Sequence, residues 1–204
     1  MIKDIIKTYH PEAIRLFLLS KHYRSPIDFT DKALDEAVSG LDKIYSLLDR
    51  IEKNIEIKTD CKEIKKSGDV WKRFTVAMDD DFNSARGIGV LFEAVRKTNR
   101  LIDNKDFTDD ILKKIKSIYA DIIKIGSVLG IIDNSPASYF SEKKGRGIEK
   151  TSVDPDVIDK MIQERTAARK AKDWAMADKI REQLAQMNII IEDSSDGTTW
   201  KVQG

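Results

Sequence analysis

The chain has 204 residues, 41% hydrophobic and 35% charged, with ten Gly and four Pro; this excludes a fibrous or disordered protein and suits a helix-rich, soluble one of one or two domains. Its 36 basic side chains are offset by 35 acidic ones, leaving a net charge of +1, so any contact with nucleic acid has to be local rather than driven by overall charge. No apolar run reaches the roughly 18 residues that cross a bilayer, and residues 1–9 lack the apolar core of a secretory signal, so a cytoplasmic protein without a membrane partner is expected. Cys61 stands alone with only His10 and His22 as further soft ligands, which excludes an internal disulfide and predicts no metal site.

Pro11 is placed as the first residue of a helix carrying Ile14, Leu16, Phe17, Leu18 and Leu19, which ends near Ser25-Pro26 because proline disfavours helical geometry in the residue before it. That helix is apolar on more than one face, as expected deep in a core or at a domain junction. Thr30-Asp31 caps a long amphipathic helix in which Leu34, Ala37, Val38, Leu41, Ile44, Tyr45, Leu48, Ile51 and Ile55 recur at threes and fours, the period of one buried stripe. A polar stretch with Lys65, Lys66, Ser67 and Gly68 reads as a loop before a short helical segment bearing Trp71, Phe74 and Met78.

Asn83-Ser84 opens a helix with Ile88, Leu91, Phe92, Val95 and Ile102 on one face, Thr108 opens another through Leu129, and Gly130 fits its left-handed stop. Residues 133–153, with Asn134-Ser135-Pro136 and Lys143-Lys144-Gly145-Arg146-Gly147, lose apolar periodicity and read as a flexible linker. Beyond it Asp154-Pro155 starts a helix through about Ala171, and Asp173 caps a second with Ala177, Ile180, Leu184 and Met187 in one stripe, stopped at Asn188. Ile189 to Ile191 and Thr198 to Trp200, flanking Ser194-Ser195-Asp196-Gly197, read as a β-hairpin. The expected fold is mainly α: an antiparallel helical bundle over 1–132, the linker 133–153 and a small α+β domain over 154–204.

Tyr9-His10-Pro11-Glu12-Ala13-Ile14-Arg15 with His22-Tyr23-Arg24-Ser25-Pro26, then Ala77-Met78-Asp79-Asp80-Asp81-Phe82-Asn83-Ser84-Ala85, then Arg165 to Asp178 followed by Glu192-Asp193 to Trp200, resemble in order the C-terminal region of cysteinyl-tRNA synthetases. Glu12-Ala13-Ile14-Arg15 resembles the element that names the DALR anticodon-binding family. The resemblance covers nearly the whole chain and implies a DALR-type bundle followed by an anticodon-recognition domain, with a cysteine tRNA and the catalytic domain of the same enzyme as partners. It also implies a parent that attaches cysteine to its tRNA with ATP, Mg and a catalytic-domain Zn. The family's His-Ile-Gly-His and Lys-Met-Ser-Lys type motifs and its zinc ligands are not found in the sequence. Met1 is therefore taken as a cut made shortly after the second ATP motif, and the chain alone is expected to be inactive, without a cofactor, and monomeric.

The same resemblance places Arg169, Trp174, Asp178 and Asp193 at the anticodon. An indole stacks on any unpaired base, a carboxylate accepts from a guanine Watson-Crick edge or a cytosine amino group, and a guanidinium offers a bidentate fork. Trp174 and Asp178 share a helix face at i, i+4. The plain structural roles are Trp174 closing a small core on Trp200, Asp178 as a solvated charge, and Arg169 with Lys170 and Lys172 as cations at a helix C-terminus. Arg15, His22, Tyr23, Arg24, Lys170 and Lys172 form a second set, for the tRNA backbone or the junction with the catalytic domain. Arg86, Arg96, Lys97 and Arg100 read as a solvated face rather than a row along the anticodon stem, and Asp79-Asp80-Asp81 as a cap or a partner for buried basic groups. Two other functions were weighed: a cysteine-to-amino-sugar ligase, which has no use for an anticodon-reading tail, and a freestanding helical protein-interaction module without RNA specificity.

Overall fold

A computed structural model describes residues 2–55, 68–151, 155–187, 189–194 and 197–202. Cys61, Lys65, Lys66, Ser67, Asp154, Asn188, Ser195 and Asp196 lie outside the described residues. The protein is mainly helical and divides into two compact units, Met1–Tyr139 and Phe140–Gly204.

In the first unit a seven-residue helix α1 (Ile2–Thr8) that the sequence pattern did not signal precedes α2 (Pro11–Leu19). Pro11 sits in the first turn of α2, and His10 caps it, Nδ1 accepting the Glu12 N–H at 3.3 Å. Ala13, Leu16 and Phe17 are buried while Leu18 is 48% exposed, so the second apolar face of α2 lies on the surface of this unit. In α3 (Asp31–Ile55) the Thr30 hydroxyl accepts from Ala33 N–H at 3.2 Å, and the predicted stripe is buried at Leu34 and from Leu41 to Ile55, with Ala37 and Val38 half-buried. The remaining bundle helices are α4 (Asp69–Asp79), α5 (Ser84–Asp103) and α6 (Asp109–Leu129). Helix α4 packs on α5 and α6, and α2 packs on α3. Asn83 caps α5 through Arg86 N–H, as its position predicted. The start of α4 is capped from another helix: the buried Asp121 of α6 accepts from Gly68 N–H and Trp71 N–H, each at 3.0 Å, which satisfies donors that a helix N-terminus leaves unpaired.

Helix α6 stops as expected, with Gly130 left-handed at φ 64 and the Ile131 N–H returned to the Gly126 carbonyl at 2.9 Å. A side chain at Gly126 would lie 2.7 Å from the Ile131 carbonyl, so the close approach itself requires glycine. Two residues later Ile132 takes φ 65, a left-handed conformation that a β-branched residue strongly resists. What holds it is Glu12, 4% exposed, whose carboxylate accepts from Ile132 N–H at 2.9 Å, Asp133 N–H at 3.1 Å and the Tyr45 hydroxyl at 2.9 and 3.1 Å. Arg15, one turn along α2, donates to the Gly130 carbonyl.

Residues 133–153, expected as a flexible linker, are corrected by the structure: they contain a helix, α7 (Pro136–Thr151). Its anchor is Tyr139, 1% exposed, which stacks on Tyr45 at 3.9 Å with 9° between the rings and donates to Asp42 at 2.8 Å. These partners are almost a hundred residues upstream, so local periodicity carries no trace of them.

The second unit holds most of α7, then α8 (Pro155–Lys170), α9 (Trp174–Gln186) and two strands, β1 (Ile189–Ser194) and β2 (Gly197–Val202), which pair antiparallel from Ile189↔Val202 to Ser194↔Gly197. Ile158, Ile162, Ile180, Leu184 and Ile189 form its core, with Met161, Met187, Ile191 and Trp200 packed against it. The Trp200 indole N–H donates to Asp159 at 2.7 Å, and Lys144 lies 4.2 Å from the centre of its ring.

The Glu12 network yields two predictions. Glu12→Ala should lower unfolding stability by about 1–3 kcal/mol, because it strands a buried phenol and two part-buried N–H groups; urea denaturation followed by circular dichroism measures it. Burial, aided by Glu12 for Tyr45 and by Asp42 for Tyr139, raises both phenols above the ordinary 10.0. A group that holds its proton more tightly when folded stabilises fully below its unfolded value and loses that contribution as pH rises through the folded one. Stability should therefore fall as pH rises beyond 10.0, and less steeply in Tyr139→Phe, when denaturation midpoints are compared across pH.

Candidate nucleic-acid interface

The chain reverses between α8 and α9 within three residues. Ala171 N–H returns to the Ala167 carbonyl, Lys172 N–H to Arg169 and Asp173 N–H to Ala168, at 2.9, 3.1 and 2.9 Å, with Lys172 left-handed at φ 61. This is the helix stop that usually recruits glycine; a lysine here accepts the strain while its charge complements the helix C-terminus. Asp173 then caps α9, accepting from Met176 N–H at 3.0 Å. The reversal sets the last turn of α8 beside the first residue of α9.

The result is an open concavity of about 300 Å³ lined by Thr166, Arg169 and Lys170 of α8, Trp174 of α9 and Thr198 of β2. Its size is at the small end of ligand clefts, about 300–1,000 Å³. Trp174 is 59% exposed, so an indole face, a guanidinium and an ammonium are presented together. The alternative in which Trp174 closes the core on Trp200 does not hold: Trp200 is the indole engaged with the core, Asp159 and Lys144.

The other candidates separate. Asp178 is exposed on α9, one turn beyond Trp174, and does not line the concavity. Asp193 pairs with Thr198 in the strand register, which brings its backbone beside the concavity; its side chain lies outside the described residues. Lys172 gives its backbone to the turn, and its side chain is exposed outside the concavity's lining. Arg15 is drawn to Gly130 in the first unit. His22, Tyr23 and Arg24 gather on Asp81 there, Tyr23 donating at 2.8 Å, Arg24 at 3.2 Å and His22 Nε2 standing 3.9 Å away. The Asp81 hydrogen bond holds the Tyr23 phenol above its usual value. Asp81 and Phe82 are both left-handed, at φ 54 and 51, and Phe82 is 74% exposed. Asp80 pairs with Arg86 at 3.1 Å, so the acidic run partners basic groups, exposed ones rather than the buried ones expected. Sequence reasoning missed Thr166 and Thr198; their one signal was position, a turn before Arg169 and opposite Asp193.

Comparison with known proteins gives three family matches. Residues 73–133 match the DALR domain, residues 155–200 the cysteinyl-tRNA ligase anticodon binding domain, and residues 1–39 the class I (C) tRNA synthetase catalytic domain. Cysteine-tRNA ligases of Geotalea daltonii, Geobacter sulfurreducens and Thermodesulfovibrio yellowstonii are 40%, 38% and 39% identical over 99% of this chain. The chain belongs to the cysteine-tRNA ligase family. It spans 44%, 43% and 42% of the length of these three relatives. The segment matching the catalytic-domain family covers α1, α2 and the start of α3. The concavity lies within the segment matching the anticodon binding domain.

The left-handed lysine gives a test of the turn. Lys172→Gly should raise stability by up to about 1 kcal/mol by removing the Cβ strain, whereas Asp173→Ala should lower it by about 1 kcal/mol through loss of the cap. Thermal melts of both variants check the pair.

Proposed function

We propose that this chain is the tRNA-binding part of a cysteine-tRNA ligase, and that its second unit reads the GCA anticodon of a cysteine tRNA. The carrying observation is the concavity in which exposed Trp174 stands beside Arg169 and Lys170: a stacking plane and two cationic donors suit an unstacked base and its phosphate, the mode in which single-stranded RNA is recognised. Asp178 adds a carboxylate one turn from the indole, and Asp193 another on the strand opposite Thr198. In this reading residues 154–204 form a small α+β anticodon-recognition domain whose two strands make a hairpin, and residues 1–132 form an antiparallel DALR-type bundle along the tRNA stem. The exposed apolar side chains Ile6, Leu18, Tyr23, Ile27 and Phe29 all fall in the segment matching the catalytic-domain family, which supports the rest of that domain as the intramolecular partner. The whole enzyme, a cytoplasmic monomer, attaches cysteine to the tRNA with ATP; this part supplies recognition and positioning.

ATP, Mg and Zn belong to the catalytic part. Among the described residues no group of three or more His, Cys, Asp or Glu side chains is placed to hold a metal ion, so no step is assigned to one here. Among those residues there is also no helix long and apolar enough to cross a membrane.

A titration of the chain with an anticodon stem-loop carrying GCA, beside one with a changed first base, at fixed salt, tests the reading. GCA should bind more tightly. Trp174→Ala should weaken that binding by about 1–3 kcal/mol, roughly 5- to 150-fold, and Asp178→Ala should narrow the preference between the hairpins. Equal, purely salt-dependent binding of both hairpins would refute the assignment.

A further inference from the structure

The concavity carries more information than a stacking plane and two cations. Arg169 and Lys170 can only donate hydrogen bonds, and so can the Trp174 indole N–H. Such a set favours acceptors, which every nucleobase and every phosphate presents, so it leaves the amino groups of a base unread. Thr166 differs. Its hydroxyl carries a single proton, and that proton is committed to the Ile162 carbonyl one turn back at 2.8 Å. The oxygen is left with lone pairs only, so Thr166, a lining residue of the concavity, can act there only as an acceptor. A threonine bonded back to its helix ordinarily does no more than satisfy itself; here the same bond removes the rotational freedom that would let the hydroxyl act as a donor.

We propose that Thr166 is a specificity-determining residue of this site: its Oγ1 accepts a hydrogen bond from the exocyclic amino group of the anticodon base that stacks on Trp174. Guanine, cytosine and adenine each carry such an amine, at N2, N4 and N6. Uracil carries none, so it leaves the acceptor unpaired and is rejected, as sites built around a hydrogen bond reject analogues that lack it. The neighbouring donors Arg169 and Lys170 then meet carbonyl, ring-nitrogen or phosphate acceptors of the same nucleotide. This inference rests on the anticodon-reading assignment and deepens it by naming the group that is read.

The test removes one amine at a time. The full chain is titrated with the GCA stem-loop and with three others, in which inosine replaces G, zebularine replaces C, or nebularine replaces A; each analogue lacks the exocyclic amine alone. The wild-type chain should bind one of the three roughly tenfold more weakly than the GCA stem-loop, the loss expected for one base-reading hydrogen bond. Thr166→Ser, which keeps the acceptor, should retain that discrimination. Thr166→Val, of similar shape without it, should bind the GCA stem-loop as weakly as the analogue and no longer separate the two, with an unchanged circular dichroism spectrum. If Thr166→Val discriminates as well as wild type, or if wild type ignores all three analogues while still preferring GCA over a changed first base, the Thr166 assignment is overturned and anticodon reading stands. If wild type does not distinguish GCA from the changed base at all, both fall together.

Discussion

A carboxylate withdrawn from water persists only where its lone pairs are met by donors, and around Glu12 that condition shapes the first unit. Its donors come from α3, through Tyr45, and from the chain just past α6, through Ile132 and Asp133. The second pair lies 120 residues downstream of α2, so one side chain ties the beginning of the unit to its end. The unfavourable conformation of Ile132 is sustained by that hydrogen bond, and the turn before it is possible because Gly126 admits the Ile131 carbonyl and Gly130 takes the left-handed stop. Arg15 closes on the same turn from α2. The Glu12-Ala13-Ile14-Arg15 block thus works through both of its charged residues on a single backbone reversal.

The same network decides where α7 begins. Tyr45 offers its hydroxyl to Glu12 and its face to Tyr139, and Tyr139 in turn reaches Asp42 while His10, the cap of α2, stands edge-on to its ring at 5.2 Å. Aromatic pairs of this kind add about 0.5–1.5 kcal/mol beyond the area they bury. In the second unit a smaller device of similar logic recurs: Trp200 packs on the isoleucine core while its indole N–H meets Asp159 and Lys144 covers its face. A core cluster of five buried side chains is small, and small units gain disproportionately from such polar closures.

Much of this was legible in the sequence, for identifiable reasons. Helices α3, α5 and α6 bury long stripes, so their periodicity is strong; Asn83, Gly130 and Asp173 act through their own backbone neighbourhood, so capping chemistry predicts them. Helix α7 was hidden because Lys143-Lys144-Gly145-Arg146-Gly147 lacks any stripe and its anchor, Tyr139, is held by residues far upstream. Asp121 capping α4 and Asp81 gathering Tyr23 and Arg24 were hidden for the same reason: an acidic residue's partner 50 or more positions away leaves no local mark. At the candidate interface, the lining residues Trp174 and Arg169 stand out in the sequence by residue type, whereas Thr166 does not. A threonine in the interior of a helix looks like filler until its hydroxyl proton is accounted for.

That contrast bears on how a chain with a net charge of +1 can be selective toward a polyanion. Cationic side chains set affinity, and phosphate contacts carry no sequence information. In a site framed by Arg169 and Lys170, a carboxylate within the lining would pair with those cations, whereas Asp178 stands outside that lining. A neutral oxygen whose own proton is fixed inside its helix has no such competitor: it is weakly attracted to the neighbouring cations and keeps its direction. In the proposed reading, selectivity at this concavity draws on a neutral group left with an unused lone pair, a property set by the local backbone of α8 and invisible to any count of charges.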